Sequence, residues 1–316
     1  MEKKAIAPEQ RACDLASIES IAKAQADCVD LSFFRVERQG NPCGFGSKGL
    51  CCRICHMGPC RITAKAPAGV CGANADTIVA RNFLREVAGG AAAHSDHGRH
   101  LVLLLRKIGL GLGGGYAIKD EEALTRTARL YGIDPHGIPV PELAVRLADC
   151  LLAEFTAQEE ALATLKLAPP PRQGVWKKRE VEPSGIDRMI VEAMHRTTMG
   201  VDHDYRSVLT HALRVALSDG WGGSRVASMV GDILFGTPTP VRSSANLGVL
   251  GADTVNVLVH GHEPALSEML SAAANDPEII AAAKAAGATG LTLAGICCTA
   301  NEILMRHGIP LAGNFL

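Results

Sequence analysis

Aromatic residues make up only 4% of the 316 residues, and 32 basic against 33 acidic side chains leave a net charge of −1. The first shortage argues against the aromatic platforms on which single-stranded nucleic acids stack. The second removes any global attraction to nucleic acid or to an anionic membrane. No stretch reaches 18 uninterrupted apolar residues, so no membrane-spanning helix is expected. Met1 is followed by Glu2, Lys3 and Lys4 and by no apolar segment, so a secretory signal is not expected. A reducing, cytoplasmic setting is expected, in which disulfides are rare. No GxSxG or similar nucleophile motif occurs, and His195 with Arg196 and Asp202 reads as a packing or surface set before it reads as acid–base machinery.

What the chain does have is cysteine and glycine, 11 and 33 residues respectively. Six of the cysteines fall in one run, Cys43-x7-Cys51 followed by Cys52-x2-Cys55-x4-Cys60-x10-Cys71. Neighbouring side chains point apart, so Cys51 and Cys52 are not expected to serve the same small cluster. Four thiolates from Cys52 onward suffice for one [4Fe–4S] cluster. Cys43 and Cys51 then form half a site, which the twofold axis of a homodimer would complete. A structural zinc ion is the competing reading, since a C-x2-C pair fits it, but zinc ribbons pair two such knuckles and the later spacings here are x4 and x10. Inert buried thiols are a third. Pro42, Gly44, Gly46, Gly49, Gly58 and Pro59 predict a loop whose amides can turn toward cluster sulfurs.

Apolar residues recur at helical spacing over 14–29, 74–108, 119–131, 141–166, 186–198, 204–218 and 224–235. The proline-rich stretch 168–183 is expected to be a loop. After the GTPTP segment at 236–240 the style changes. Short β-branched strands are expected at 254–259 and 290–294, with helices over 264–286 and from Ala300 onward. The fold class is therefore a multidomain α and α/β chain. A helical iron–sulfur domain over 1–240 precedes the first part of a Rossmann-like parallel α/β domain over 241–316. That second domain is expected to be incomplete, because two strands are too few for an ordinary sheet.

Both expected strands run into chemically loaded turns, HGHEP at 260–264 and GICCT at 295–299. The carboxyl ends of parallel strands face one crevice, so an imidazole and a thiolate would converge there. His and Cys together suit zinc, nickel or iron. His94, His97 and His100 step by three along a helix and form a slanted stripe, suited to proton transfer or, equally, to a solvated face. Gly89, Gly90 and the alanines at 91–93 would admit close approach of another element. The GLGLGGG run at 109–115 mimics a dinucleotide loop but follows a helix, where that fingerprint needs a strand. Cys13, Cys28 and Cys150 sit in apolar helical stretches and are expected in the core.

The segments CCRICHMGPCRI (51–62), GVCGA (69–73), AHSDHGRH (93–100), HRTTMGVD (195–202), VHGHEP (259–264) and GICCT (295–299) together resemble nickel-dependent carbon monoxide dehydrogenase, along its N-terminal half. The resemblance implies a homodimer with three kinds of cluster. Cys52, Cys55, Cys60 and Cys71 match the ligands of a [4Fe–4S] B-cluster. Cys43 and Cys51 match those of a bridging D-cluster, [4Fe–4S] or [2Fe–2S]. His262 and Cys298, with Cys297 as the neighbouring thiol, match ligands of the Ni–Fe–S C-cluster, whose iron ligand the sequence leaves open between the two cysteines. His94 matches the histidine nearest the reacting carbon, and His97 and His100 its proton relay. The implied reaction oxidises CO with water to CO2, protons and two electrons, which leave through the B- and D-clusters to a ferredoxin-like acceptor. A nickel-insertion accessory protein is a further implied partner.

Two departures qualify the resemblance. The family's histidine stripe often runs one step further, where this chain has Leu103. The remaining cysteine ligands, including the one that holds nickel, lie in a half of the family sequence with no equivalent here. The chain is accordingly expected to be inactive alone, as part of a longer or split enzyme. The rivals are a hybrid-cluster protein of the hydroxylamine reductase type, which the Cys43/Cys51 pair and the two loaded turns oppose, and a non-catalytic iron–sulfur electron-transfer fragment.

Overall fold

A computed structural model describes residues 7–313; the charged opening at Met1–Lys4 lies outside them. Two helices come first, α1 (Leu15–Ala26), capped by the Asp14 carboxylate on the Ser17 amide, and α2 (Ser32–Gln39). Contacts divide the chain into two units, Pro42–Thr237 and, together, Met1–Asn41 with Pro238–Leu316. The first helices thus group with the α/β segment, whereas the expected boundary at 240 left them with the helical domain. A cause lies in α1 itself: a Cβ built on Gly248 would stand 3.3 Å from that of Ala16.

The unit Pro42–Thr237 is helical apart from one ladder. In it β1 (Cys51–Cys52) runs antiparallel to β2 (Cys60–Arg61). Its axis is α3 (Ala75–Gly109), 35 residues long. Asn74 caps α3 by accepting the Thr77 amide, Asp76 sits in the first turn, and Arg106 and Lys107 sit in the last, each sign where the helix dipole favours it. Around it lie α4 (Glu121–Leu130), α5 (Val140–Phe155), α6 (Pro170–Lys178), α7 (Ile186–Arg196), α8 (Tyr205–Ser218) and α9 (Arg225–Phe235). Leu84, Leu101 and Leu105 of α3, Leu147 and Leu151 of α5, and Val215 and Val230 of α8 and α9 are at most 1% exposed. Each such side chain contributes roughly 1.5–3 kcal/mol by burial.

Helix α6 occupies part of the stretch expected to be a loop. Pro170 and Pro171 stand at its start, where a missing amide hydrogen breaks no bond and the fixed φ already suits a helix. Cys13, Cys28 and Cys150 are exposed, against expectation. For Cys150 the reason is phase: Leu147 and Leu151 take the buried stripe of α5 and leave it facing out. Close approach to α3 also falls elsewhere than expected. A Cβ at Gly89 or Gly90 would meet nothing within 4 Å, whereas one at Gly98 would come 2.9 Å from the Gly223 carbonyl.

In the other unit β3 (Val255–His260), β4 (Leu291–Ile296) and β5 (Leu311–Gly313) form a parallel sheet in that order. The span between β3 and β4 holds two helices, α10 (Pro264–Ala273) and α11 (Pro277–Ala285), in place of the single one expected. Asp276 caps the second by accepting the Glu278 amide, and Pro277 takes its first position. Helix α12 (Cys297–His307) leaves β4 at once, so the cysteine pair forms its first turn. Gly295 permits this, since any Cβ there would overlap Ala300. Among the described residues no helix is long and apolar enough to cross a membrane.

Candidate metal centre

The cysteine-rich loop is organised by the β1–β2 ladder, which sets Cys52 opposite Cys60. Side chains alternate along a strand, so the adjacent Cys51 and Cys52 face opposite ways. Cys52 is buried and Cys51 half-buried. Cys52 packs with Ala73 and Ile78, and Cys60, Cys71, Ile54 and Ile62 pack against that group. Cys55 opens the tight turn between the strands, where the Gly58 amide donates to its carbonyl at 3.2 Å. Four half-buried or buried thiols therefore come from one ladder, one turn and the approach to α3.

The surroundings of these sulfurs favour negative charge. The Val70 amide donates to Cys60 Sγ at 3.5 Å. Burial pushes the Cys71 thiol up, but the Ala73 amide, the Arg81 guanidinium and the Gly200 amide outweigh it and hold the thiol below its ordinary value. The exposed Cys43 is likewise held low, by the amides of Gly46 and Phe45. Asn82 of α3 fastens the loop, donating from Nδ2 to the carbonyls of Gly49 and Cys51, each at 3.2 Å. The segment HRTTMGVD does its work here too. Arg196 pairs with the Asp202 carboxylate at 2.8 Å, while the Asp202 and His203 carbonyls accept from Arg81 and from Thr77 Oγ1. It is a brace on the Cys71 corner, as the packing reading of the sequence had it.

The histidine stripe follows on α3 with a gradient of exposure. His94 and His97 are half-buried and His100 is exposed, the outcome of a three-residue step that drifts around the helix. His94 Nδ1 lies 2.8 Å from Asp219 Oδ1. That hydrogen bond, opposed by burial and helped by the charge of Asp219, raises the imidazole above its ordinary value. His100 stands 3.8 Å from the Asp96 carboxylate. Asp219 opens a π-helical turn, Asp219–Ser224, joining α8 to α9. The sequence reading did not single out Asp219, although the glycines at 220, 222 and 223 after a long helical pattern mark an irregular turn.

In the α/β unit the two loaded turns meet. The Thr299 amide donates to the Gly261 carbonyl at 3.1 Å, and Cys297 Sγ lies 3.6 Å from His260 Nε2. Cys297 has a φ of +66°, a left-handed conformation uncommon for a residue with a side chain. Cys298 is half-buried, and burial together with the charges of Cys297 and Glu302 pushes its thiol up. His262 is exposed at the start of the turn into α10. Both candidate ligands therefore sit beyond the carboxyl ends of adjacent parallel strands, and His260, which the sequence places in the HGHEP turn without a ligand role, stands beside Cys297.

Comparison with known proteins adds a consistent set of relatives. The sequence profile of the Prismane/CO dehydrogenase family matches residues 50–316. Carbon monoxide dehydrogenase 1 of Methanosarcina mazei is 52% identical over 310 residues, which is 97% of this chain and 49% of the relative. The carbon monoxide dehydrogenase/acetyl-CoA synthase subunit beta of Moorella thermoacetica is 42% identical over 311 residues, 96% of this chain and 46% of the relative. The crystal structure of a nickel-free carbon monoxide dehydrogenase from Thermococcus sp. AM4 superimposes with a TM-score of 0.92 at 45% identity, covering 99% of this chain and 50% of that one. The chain spans about half the length of the curated relatives it matches.

Proposed function

As the chain belongs to the Prismane/CO dehydrogenase family, we propose that its residues serve the oxidation of carbon monoxide with water to CO2, two protons and two electrons. The reaction is proposed for the full protein or assembly in which these residues work, since relatives of this kind are about twice as long. The observation that carries the reading is the environment of the thiols. Amide hydrogens and a guanidinium directed at cysteine sulfurs stabilise thiolates, which are the form that binds iron, and would serve no purpose around inert thiols.

On this reading Cys52, Cys55, Cys60 and Cys71 hold a [4Fe–4S] cluster. Cys43 and Cys51 supply half of a cluster shared across a homodimer. His262 and Cys298, with Cys297 beside it, contribute ligands to a Ni–Fe–S centre. When bound, that centre supplies Lewis-acid activation of water and takes up the electrons. The chain's own residues do the rest. His94 donates its Nδ1 hydrogen to Asp219, which fixes the tautomer and leaves proton exchange to Nε2. His97 and the exposed His100 continue the stripe outward and hand protons toward solvent. The clusters that these cysteines would hold would pass electrons to a ferredoxin-like carrier, and an accessory protein would supply the nickel.

Metal content of the protein purified anaerobically with nickel supplied tests this. Iron with a visible band near roughly 400 nm supports the cysteine assignment. About six irons per chain would match one four-iron cluster and half of a second. Nickel in stoichiometric amount supports the C-cluster ligands, and iron without nickel reduces the role to electron transfer. Zinc in place of iron would end the reading.

A further inference from the structure

Arg81, on the second turn of α3, is 1% exposed. Its Nη1 lies 4.0 Å from Cys71 Sγ, Nε donates to the Asp202 carbonyl at 3.1 Å, and Nη2 donates to that same carbonyl. Among the described residues no carboxylate forms an ion pair with it, and the side chain of Asp202 pairs with Arg196 instead. A guanidinium keeps its charge at any pH a folded protein survives. A charge so deeply buried requires a compensating one. The negative partner that this geometry provides is the sulfur of Cys71 as a thiolate.

We infer that Arg81 is a positioning residue that sets the reduction potential of the cluster bound by Cys52, Cys55, Cys60 and Cys71, and this rests on the reading of those cysteines given above. Reduction adds one electron, drawn from CO oxidation in the proposed reaction, and neither makes nor breaks a bond. It makes the cluster and its ligands more negative by one charge. A fixed positive charge beside one ligand sulfur favours that state, because cluster potentials follow local charge and hydrogen bonds to sulfur. Salt cannot screen the effect, since the guanidinium is shut away from solvent. Arg81 thereby biases electrons toward this cluster. The brace formed by residues 196–203 acts through it, since the Asp202 carbonyl is what aims the guanidinium.

The test is a redox titration of the cluster by electron paramagnetic resonance, with dithionite as reductant, on the intact protein under anaerobic conditions. Arg81→Gln keeps a donor toward the Asp202 carbonyl but removes the charge. Arg81→Met removes both, and Arg81→Lys keeps the charge. Arg106→Gln, in the last turn of the same helix, where the guanidinium meets the Asp149 carboxylate at 2.7 Å, serves as control. The neutral variants are expected to disfavour reduction at least tenfold, about 59 mV for one electron. Lys is expected to restore most of the shift, and the control to leave the potential close to the starting value. A neutral variant that holds its cluster and titrates with the unaltered protein overturns the inference. Loss of the cluster in both neutral variants also overturns it, by assigning Arg81 to the fold. An unaltered protein without iron would overturn the cysteine reading itself, a result seen before any variant is made.

Discussion

His94 Nδ1 stands 2.8 Å from one oxygen of Asp219 and 3.0 Å from the other, so a single carboxylate holds a ring that lies 125 residues away in sequence. The pair joins the middle of α3 to the π-helical turn, and it fixes both the tautomer and the charge preference of the imidazole.

The sign of the resulting pH dependence is defined. The folded value of His94 lies above its ordinary 6.5, so the protonated ring is favoured by folding. Its contribution to stability is complete below about 6.5 and fades as pH rises through the folded value. In Asp219→Asn the supporting charge is gone while burial stays, so the His94 titration should move to lower pH. Chemical shifts of the labelled imidazole, followed across the neutral range, would show it; an unmoved titration contradicts the assignment of Asp219.

Gly223→Ala should disturb the same pair from the other side. A Cβ there would stand 3.0 Å from Ile186 Cδ1, 3.2 Å from the Ser95 amide nitrogen and 3.3 Å from the His94 carbonyl carbon. Overpacking of this kind costs roughly 1–3 kcal/mol. The expected result is a lowered denaturation midpoint with a shifted His94 resonance, whereas Gly89→Ala, built at an exposed helical position where nothing lies within 4 Å, should raise the midpoint slightly and leave the resonance unchanged.

Asn82→Ala strips the donor from two carbonyls of the cysteine loop, those of Gly49 and Cys51. Leaving such groups unmet costs about 1–3 kcal/mol where water cannot replace the donor. The loss should be local. Hydrogen exchange is expected to accelerate at residues 47–52 while α5 and α8 keep their protection, and equal exchange in the loop of both proteins would deny Asn82 its role.

Tyr131 and Glu154 predict alkaline behaviour. Tyr131 Oη donates to Glu154 Oε2 at 2.6 Å. Burial first, and then the neighbouring carboxylate, push the phenol far above its ordinary 10. The folded protein therefore keeps a proton that the unfolded chain gives up above pH of about 10, and stability falls there by up to about 1.4 kcal/mol per pH unit. In Tyr131→Phe this component of the slope should vanish, which urea denaturation at a series of alkaline pH values can resolve.

Much of this was legible in the sequence, for identifiable reasons. Helix α3 and the strands β3 and β4 carry long or β-branched patterns that admit one reading, and their observed limits differ from the expected ones by two residues at most. The spacing of the loop cysteines likewise marked thiols that the structure gathers, since Cys60 and Cys71 pack against Cys52. What escaped was of two kinds. Helix α6 hid behind prolines, which break a helix inside but suit its first turn. Asp219 and the clamp on Arg81 hid because their partners lie 125 and 121 residues away, and no local pattern records a tertiary contact.

The continuity of α3 makes it a calibrated spacer. Asn82, which fastens the cysteine loop, and His94, which meets Asp219, are twelve residues apart on one unbroken helix, about 18 Å at 1.5 Å per residue. Adding or deleting a single residue between them would swing His94 by about 100° around the axis and turn it from Asp219. Point changes on the outer face of this segment are cheap, but changes of length are not. Among descendants of this sequence, the exposed positions between Asn82 and His94 should therefore drift in composition while the number of residues stays fixed.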